Sequence, residues 1–159
     1  MTVKEQGEQT TLSPMKKISK AKQKAYAADR LAFAKEVRQQ YLDFDIDPKR
    51  TASGLGYIVH EEGDGPRPIP GQAVKVNYLG LLVSDGQLFD DSLTKGRSFR
   101  FRLGTGEVIA GWDEGIDLLQ VGDQATLFLP PALGYGNGKK GNIPGNSELL
   151  FYVEVVGVG

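Results

Sequence analysis

The stretch GTGEVIAGWDEGI, residues 104–116, decides the fold because it combines helical spacing with residues that weaken a helix. It contains four glycines and the only tryptophan of the chain. Four residues share one helical face, at i, i+3, i+4 and i+7: Trp112, Gly115, Ile116 and Leu119. Gly111 and Gly115 each cost a helix about 1 kcal/mol relative to alanine. The stretch therefore predicts a short helix whose glycines let neighbouring backbone approach closely.

The indole of Trp112 has two interpretations that spacing alone leaves open. It is either the floor of a pocket, with Val108 and Ile109 just ahead of it, or a side chain of the core. A phosphate-binding loop is excluded. Ile109 stands where a dinucleotide fingerprint needs glycine, and Trp112 and Asp113 stand where a P-loop needs Lys and Ser or Thr.

Around this helix the sequence changes to the alternating pattern of strands. Five segments carry it: GYIVHEE, AVKVNYLGLL, SFRFRL, DQATLFL and ELLFYVEVV. Turn signals such as GDGP and GYGNGKKGN separate them. One short helix among strands of this type predicts an α+β domain whose antiparallel sheet curls over the helix. His60 lies in the first segment, where the alternation predicts an exposed strand residue.

The first 50 residues form a separate region. Residues 1–13 are polar and predicted to be disordered, and residues from about 14 to 42 predict a long amphipathic helix. Its apolar stripe consists of Tyr26, Phe33, Val37 and Tyr41, with Ala27, Leu31 and Ala34 beside them. The stripe packs either on the body of the protein or on the same helix of a second chain. A linker follows, so the predicted division is 1–50 and 51–159.

Composition excludes several classes of function. The chain has 159 residues, no cysteine and one histidine, so thiol catalysis, thiolate metal sites and multi-histidine sites are excluded. Residues 1–50 carry 11 Lys and Arg against 7 Asp and Glu, but without a base-reading motif this charge predicts a solvated helix face and no nucleic-acid partner. No apolar run approaches membrane length. With no secretory leader in MTVKEQGEQT, we expect a cytoplasmic protein, or a periplasmic one if a leader has been removed.

Five motifs in order carry a family resemblance: VKVNYLG, LFDDS, SFRFRLGTGEVIAGWDEGI, VGDQATLFLPPALGYG and IPGNSELLFYVEV. From Gly54 to Val156 the chain resembles the FKBP-type peptidyl-prolyl isomerases, the macrolide-binding immunophilins. The resemblance implies an antiparallel half-barrel sheet wrapped around one short helix, with the active pocket between them. Here it follows a long amino-terminal amphipathic helix.

The resemblance also implies a set of site residues. Those matching its catalytic positions are Asp90, Tyr135 and Tyr78. Those matching substrate-binding positions are Phe89, Phe99, Val108, Ile109, Trp112, Ile143 and Phe151. Taken singly, Tyr78, Phe99 and Phe151 also alternate correctly for plain core residues. Asp90 is the informative residue, because an acid in an apolar cluster costs desolvation energy unless it is paired.

The implied function is cis–trans isomerisation of X-Pro bonds in protein substrates, which assists folding. Since no bond is broken, the reaction needs no metal or cofactor. The expected partners are proline-containing unfolded or nascent polypeptides and macrolide inhibitors. If the apolar stripe of the amino-terminal helix packs on a second chain, the protein is also expected to form a homodimer. The alternative function is a chaperone or binding module of the same fold with little turnover.

Overall fold

The computed structural model describes residues 19–159. The predicted polar tail, residues 1–13, and the first residues of the predicted helix, 14–18, lie outside the described residues. The long helix, α1, covers Lys20–Leu42. Ser19 is its N-cap, and the Ser19 side chain accepts a hydrogen bond from Lys22 N at 3.1 Å, which satisfies one free N–H group of the first turn. No helix in this part of the chain is both long and apolar enough to cross a membrane.

Seven strands of the described residues form one antiparallel sheet. They are β1 (Lys49–Arg50), β2 (Gly56–Glu61), β3 (Ala73–Leu82), β4 (Leu88–Asp91), β5 (Phe99–Arg102), β6 (Gln124–Leu129) and β7 (Leu149–Val158). The order is β1-β2-β6-β7-β3-β4, and β5 also pairs with β3. The predicted α+β class and sheet are confirmed. Strands β1 and β4 were not predicted, because β1 has only two residues and the sequence of β4, LFDD, does not alternate.

Two helices of the described residues cover the two faces of the sheet. The short helix α2 (Ala110–Ile116) lies on one face, where Trp112 and Ile116 join the core cluster that includes Phe151 and Val153 of β7. Helix α1 covers the other face, where its residues join a second cluster that includes Leu150 and Tyr152. The two clusters divide the residues of β7 alternately, as the period of two of a strand requires.

The apolar stripe of α1 therefore packs on the body of its own chain, which was one of the two predicted alternatives. Ala27, Ala34 and Val37 are buried, and Tyr41 stacks on Phe128 with ring centroids 4.1 Å apart. A homodimer through this stripe would require the helix to leave the sheet.

A buried carboxylate fixes the same contact by polar bonds. Glu154 of β7 is 0% exposed and accepts hydrogen bonds from the hydroxyl of Tyr26 and, at 2.5 Å, from that of Tyr152. Arg30 donates to the Tyr152 hydroxyl at 3.3 Å. Because an unpaired buried carboxylate is costly, these bonds favour the one position of α1 that supplies Tyr26.

The glycines of α2 have a packing role. A Cβ atom added at Gly115 would lie 2.7 Å from the Leu127 side chain, and one at Gly111 would overlap the side chain of Leu129. Both leucines belong to β6 and are fully buried. A close approach is therefore present and lets α2 lie directly against the sheet, but the approaching atoms belong to side chains and not to backbone as predicted.

Gly111→Ala is expected to destabilise the protein by about 1–3 kcal/mol through overpacking. Because a Cβ at Gly111 would overlap two atoms of the Leu129 side chain, the loss should lie in the upper part of this range and exceed the gain of about 1 kcal/mol in helix propensity. Gly138→Ala is the matched control, since no heavy atom lies within 4 Å of a Cβ there. Denaturant unfolding of both variants measures the difference. An unchanged or increased free energy of unfolding in Gly111→Ala would contradict the packing account.

The prediction that His60 is exposed is wrong. Its ring is half-buried beneath α1, edge-on to Phe33 with centroids 4.9 Å apart, and Nε2 is 2.7 Å from Thr126 Oγ1. The alternation placed His60 on the face away from α2, and helix α1 covers that face. Burial, and then the positive charge of Arg30, lower the pKa of His60 below its ordinary value near 6.5.

The lowered pKa predicts a pH dependence of stability. The unfolded chain binds a proton at His60 near pH 6.5, and the folded chain does so only at lower pH. The contribution of the neutral ring is therefore complete above pH 6.5 and is lost as the pH falls. NMR titration of this single histidine is expected to give a midpoint below 6.5. The decline in unfolding free energy on acidification should be smaller in His60→Gln, and an equal decline in both proteins would count against the assignment.

Candidate active site

An open cavity of about 420 Å³ lies between α2 and the sheet. Eight of the ten predicted site residues line it: Tyr78, Asp90, Phe99, Val108, Ile109, Trp112, Tyr135 and Phe151. They come from β3, β4, β5, α2 with the residues before it, the loop after β6, and β7. The fold thus brings to one place residues that lie up to 73 positions apart in the chain.

The floor of the cavity is a set of rings packed edge to face. Trp112 is only 4% exposed, and its ring centroid lies 4.8 Å from that of Tyr78, 5.4 Å from that of Phe151 and 5.8 Å from that of Phe99. Such contacts fix ring orientations, each contributing about 0.5–1.5 kcal/mol beyond area burial. The indole is therefore both a core side chain and the floor of a pocket, so the two interpretations are compatible.

The indole N–H of Trp112 is the one polar atom of the floor without a partner. Its Nε1 is buried and makes no hydrogen bond with any residue of the described range. Since buried donors are nearly always paired, this unpaired donor is an exception within the floor of the cavity.

Tyr78 and Asp90 form the polar pair of the cavity wall. Tyr78 Oη donates to Asp90 Oδ2 at 2.6 Å, and Lys95 Nζ lies 3.6 Å from Asp90 Oδ1. Burial, followed by the hydrogen bond to Asp90, raises the pKa of Tyr78 well above its ordinary value. The hydroxyl therefore stays protonated at neutral pH, and the carboxylate is held at the cavity by a charge-assisted bond.

Tyr135 projects into the cavity from the loop after β6. A 3-10 turn at Pro131–Leu133 precedes it, and the backbone N–H groups of Gly134 and Gly136 donate to the Pro131 carbonyl at 3.0 and 2.8 Å. Burial and the negative charge of Asp90 raise the pKa of the half-buried Tyr135. Its hydroxyl is therefore a neutral hydrogen-bond donor that faces the cavity.

Phe89 and Ile143 are not among the residues that line the cavity, and substrate binding by these two residues stays a prediction. Phe89 packs behind Phe151, with ring centroids 5.5 Å apart. Ile143 is 6% exposed in the core and exchanges two backbone hydrogen bonds with Lys140, at 2.9 and 2.8 Å. Both support the wall from behind: the side chain of Ile143 fills the core, so the loop presents Lys140 to the cavity instead.

Glu107 and Lys140 line the cavity and were not predicted. Glu107 Oε1 accepts a bond from Arg102 N at 3.0 Å, which holds it at the rim beside Val108. In the sequence, the feature that could have indicated Glu107 as a cavity residue is its position directly before the predicted site residue Val108. Lys140 belongs to the NGKKGN loop, whose path depends on Gly145, where a Cβ would overlap the backbone of Asn137. No pattern in the sequence indicates which lysine of that loop turns inward.

A metal site is not apparent among the described residues, since no group of three or more His, Cys, Asp and Glu side chains comes together there. The cavity instead combines ring walls with the carboxyl groups of Asp90 and Glu107, the Lys140 amine and two tyrosine hydroxyls. It suits an apolar, ring-sized group that carries hydrogen-bond acceptors.

Residues 65–156 match the family described as FKBP-type peptidyl-prolyl cis-trans isomerase. The match covers more than half of the chain, and it includes every strand from β3 to β6, α2 and all the residues that line the cavity. The chain belongs to this family.

Individual FKBP-type relatives cover different parts of the chain. The FKBP-type isomerase FkpA of Escherichia coli K12 is 40% identical over 144 residues, which are 91% of this chain and 52% of FkpA. FK506-binding protein 2 of Aspergillus oryzae is 40% identical over 109 residues, 68% of this chain and 81% of that protein. The chain thus spans about half the length of its FkpA relative.

The fold is shared as well. The crystal structure of FkpA from Escherichia coli superposes with a TM-score of 0.67 at 41% identity, over 87% of this chain and 63% of that one. The FKBP fold inferred from the five sequence motifs is therefore confirmed.

Proposed function

We propose that the protein is a peptidyl-prolyl cis–trans isomerase that acts on proline-containing polypeptides. The observation that carries the proposal is the ring-lined cavity, with the Trp112 indole as floor and the Tyr78–Asp90 pair and Tyr135 in its wall. Membership of the FKBP-type family supports it.

The residue types suit the physical problem of turning an X-Pro bond. Rotation faces a barrier of about 18–20 kcal/mol because the C–N bond has partial double-bond character. In the twisted transition state that resonance is lost, and the carbonyl oxygen carries less negative charge than in the planar amide. An apolar cavity that excludes water therefore stabilises the twisted form more than the planar form, and only such a difference accelerates a reaction.

Each part of the cavity has a role in this proposal. Phe99, Val108, Ile109, Trp112 and Phe151 hold the proline ring. Tyr135 donates a hydrogen bond to a substrate carbonyl. Asp90 keeps Tyr78 in place and puts a negative charge near the twisting bond. Because each tenfold in rate corresponds to about 1.4 kcal/mol, a few such contacts account for an acceleration of three or four powers of ten.

A short proline peptide tests the proposal, because it presents an X-Pro bond to the cavity but does not itself fold, so that isomerisation alone is measured. Without a catalyst, cis-to-trans exchange takes tens to hundreds of seconds. Catalytic amounts of the full chain should make this exchange much faster. Tyr135→Phe should retain the fold and lose part of that rate. A folded chain that gives no acceleration would leave the alternative, a binding module of the same fold.

We further propose that macrolides compete for the same cavity. One relative is named as an FK506-binding protein, and the Tyr135 hydroxyl at the cavity offers a donor to a cyclic ligand that carries carbonyl groups. FK506 should inhibit peptide isomerisation competitively. Inhibition that leaves the apparent KM unchanged would place macrolide binding elsewhere.

A further inference from the structure

The rim of the candidate active site carries two opposite charges that come from different segments of the chain. Glu107 lies directly before Val108, and Lys140 lies in the loop between β6 and β7. Both residues are exposed, and both line the cavity. Neither forms an ion pair within residues 19–159, so their charged groups lie more than 4.0 Å apart. Each charge is therefore accessible to a molecule that enters the cavity.

The negative charge is held in place by the turn before α2. The backbone N–H groups of Gly104 and Gly106 donate to the two carboxylate oxygens of Asp113 at 2.8 and 3.0 Å, which ties this turn to the helix. Glu107 Oε1 accepts a bond from Arg102 N at 3.0 Å. The Arg102 guanidinium donates to a backbone carbonyl instead. The carboxylate of Glu107 is therefore positioned by a neutral donor and keeps its charge.

The positive charge stands on a loop that is fixed at its tip and at its base. At the tip, Lys140 and Ile143 exchange backbone hydrogen bonds at 2.9 and 2.8 Å, and the Ile143 side chain is buried. At the base, Asn146 N donates to Gly136 O at 2.9 Å. The loop therefore holds the backbone of Lys140 at the rim, and the ammonium group has no carboxylate partner among residues 19–159.

Asp90, the other acid of the cavity, is already paired. Lys95 Nζ lies 3.6 Å from Asp90 Oδ1, and the Tyr78 hydroxyl donates to Oδ2 at 2.6 Å. Glu107 and Lys140 are therefore the two charges of the cavity lining that a substrate can still neutralise.

A polypeptide whose proline ring rests on the Trp112 indole leaves the cavity over the rim in both directions. The residues before and after the proline therefore pass the charged groups of the rim. We propose that the preferred substrates carry an acidic residue on one side of the proline and a basic residue on the other. The acid meets Lys140 and the base meets Glu107, so the rim also sets the direction in which the substrate crosses the cavity. This specificity rests on the proposed isomerase function.

Two peptides of identical composition and net charge test the specificity. Both have blocked termini, and their central residues are Glu-Pro-Lys in one and Lys-Pro-Glu in the other. At low salt the full chain should isomerise one of them with a kcat/KM about fivefold higher than the other, since exposed charge pairs have effects of this size. In 1 M salt, where the Debye length is about 3 Å, the ratio should approach one.

A third peptide, with Gln-Pro-Gln at its centre, separates this inference from the proposed function. If it is isomerised while the two charged peptides have equal kcat/KM at low salt, the charge specificity is wrong and the isomerase function stands. If none of the three peptides is isomerised faster than without protein, both proposals are wrong.

A charge exchange assigns the preference to the two rim residues. Glu107→Lys combined with Lys140→Glu should invert the order of the two charged peptides. The ratio of their kcat/KM values is taken within one protein, so a loss of overall activity cancels. Glu61→Lys with Lys139→Glu is the matched control, because both residues are exposed and neither lines the cavity; it should keep the wild-type order. If the rim exchange also keeps the wild-type order, the proposal is overturned.

Discussion

Replacing Trp112 with alanine is expected to lower kcat/KM for a proline peptide about 100-fold, which corresponds to about 2.7 kcal/mol of transition-state stabilisation. The same change should lower the free energy of unfolding by about 3–5 kcal/mol, as large-to-small changes in a core do. Both effects have one cause: the indole contacts Tyr78, Phe99 and Phe151 edge-on and is also the surface on which the proline ring would rest. Peptide exchange and denaturant unfolding measure the two losses.

The loss of activity must be separated from the loss of stability. Phe128→Leu is the matched control, because Phe128 is fully buried, stacks on Tyr41 and lies on the opposite side of the sheet. It should destabilise the protein by about 1–3 kcal/mol with little change in kcat/KM where the protein is folded. If Trp112→Ala kept full activity while folded, the ring floor would have no part in the reaction.

Breaking the Tyr78–Asp90 pair is expected to lower kcat/KM about 10-fold to 100-fold, since hydrogen bonds to charged groups contribute about 1.5–3 kcal/mol. Asp90→Asn weakens the acceptor and Tyr78→Phe removes the donor of the 2.6 Å bond. If the two act as a unit, the double variant should be hardly worse than the worse single variant. A double-mutant cycle on peptide exchange measures the coupling.

Asp91→Asn is the control for this cycle. Asp91 is the neighbouring acid, but it bonds to Thr94 and does not line the candidate active site, so its replacement should leave kcat/KM close to the wild-type value. Losses that simply add in the Tyr78 and Asp90 cycle would show that the two residues act independently, and the role of Asp90 as an orienting group would have to be abandoned.

Much of the fold could be predicted from the sequence because local chemistry and tertiary packing agree there. The five alternating segments are strands. The glycines beside Trp112 conflict with helix propensity, and that conflict indicated a close neighbour, which the structure identifies as the side chains of Leu127 and Leu129 in β6. The eight residues of the cavity that the family resemblance implied do come together, because the order of the strands is fixed by the same motifs.

The features that the sequence could not predict depend on contacts between distant parts of the chain. The apolar stripe of α1 had two equally good partners, and the choice rests on the buried Glu154, which bonds Tyr26 across 128 positions. His60 was predicted as exposed because alternation defines two faces of a strand and does not show what covers the second face. The same limit applies to Lys140, whose direction is set by the turn geometry of its loop.

The single tryptophan allows the most direct test of the central claim, that an X-Pro bond rotates while its proline ring lies on the indole. In ¹⁵N-labelled protein the Trp112 indole N–H gives one unambiguous NMR signal, since the chain has one tryptophan. Titration with a proline peptide should shift this signal while the cis and trans resonances of the same peptide come into exchange. Exchange without any shift of the indole signal would contradict the account, because the reaction would then take place elsewhere on the protein.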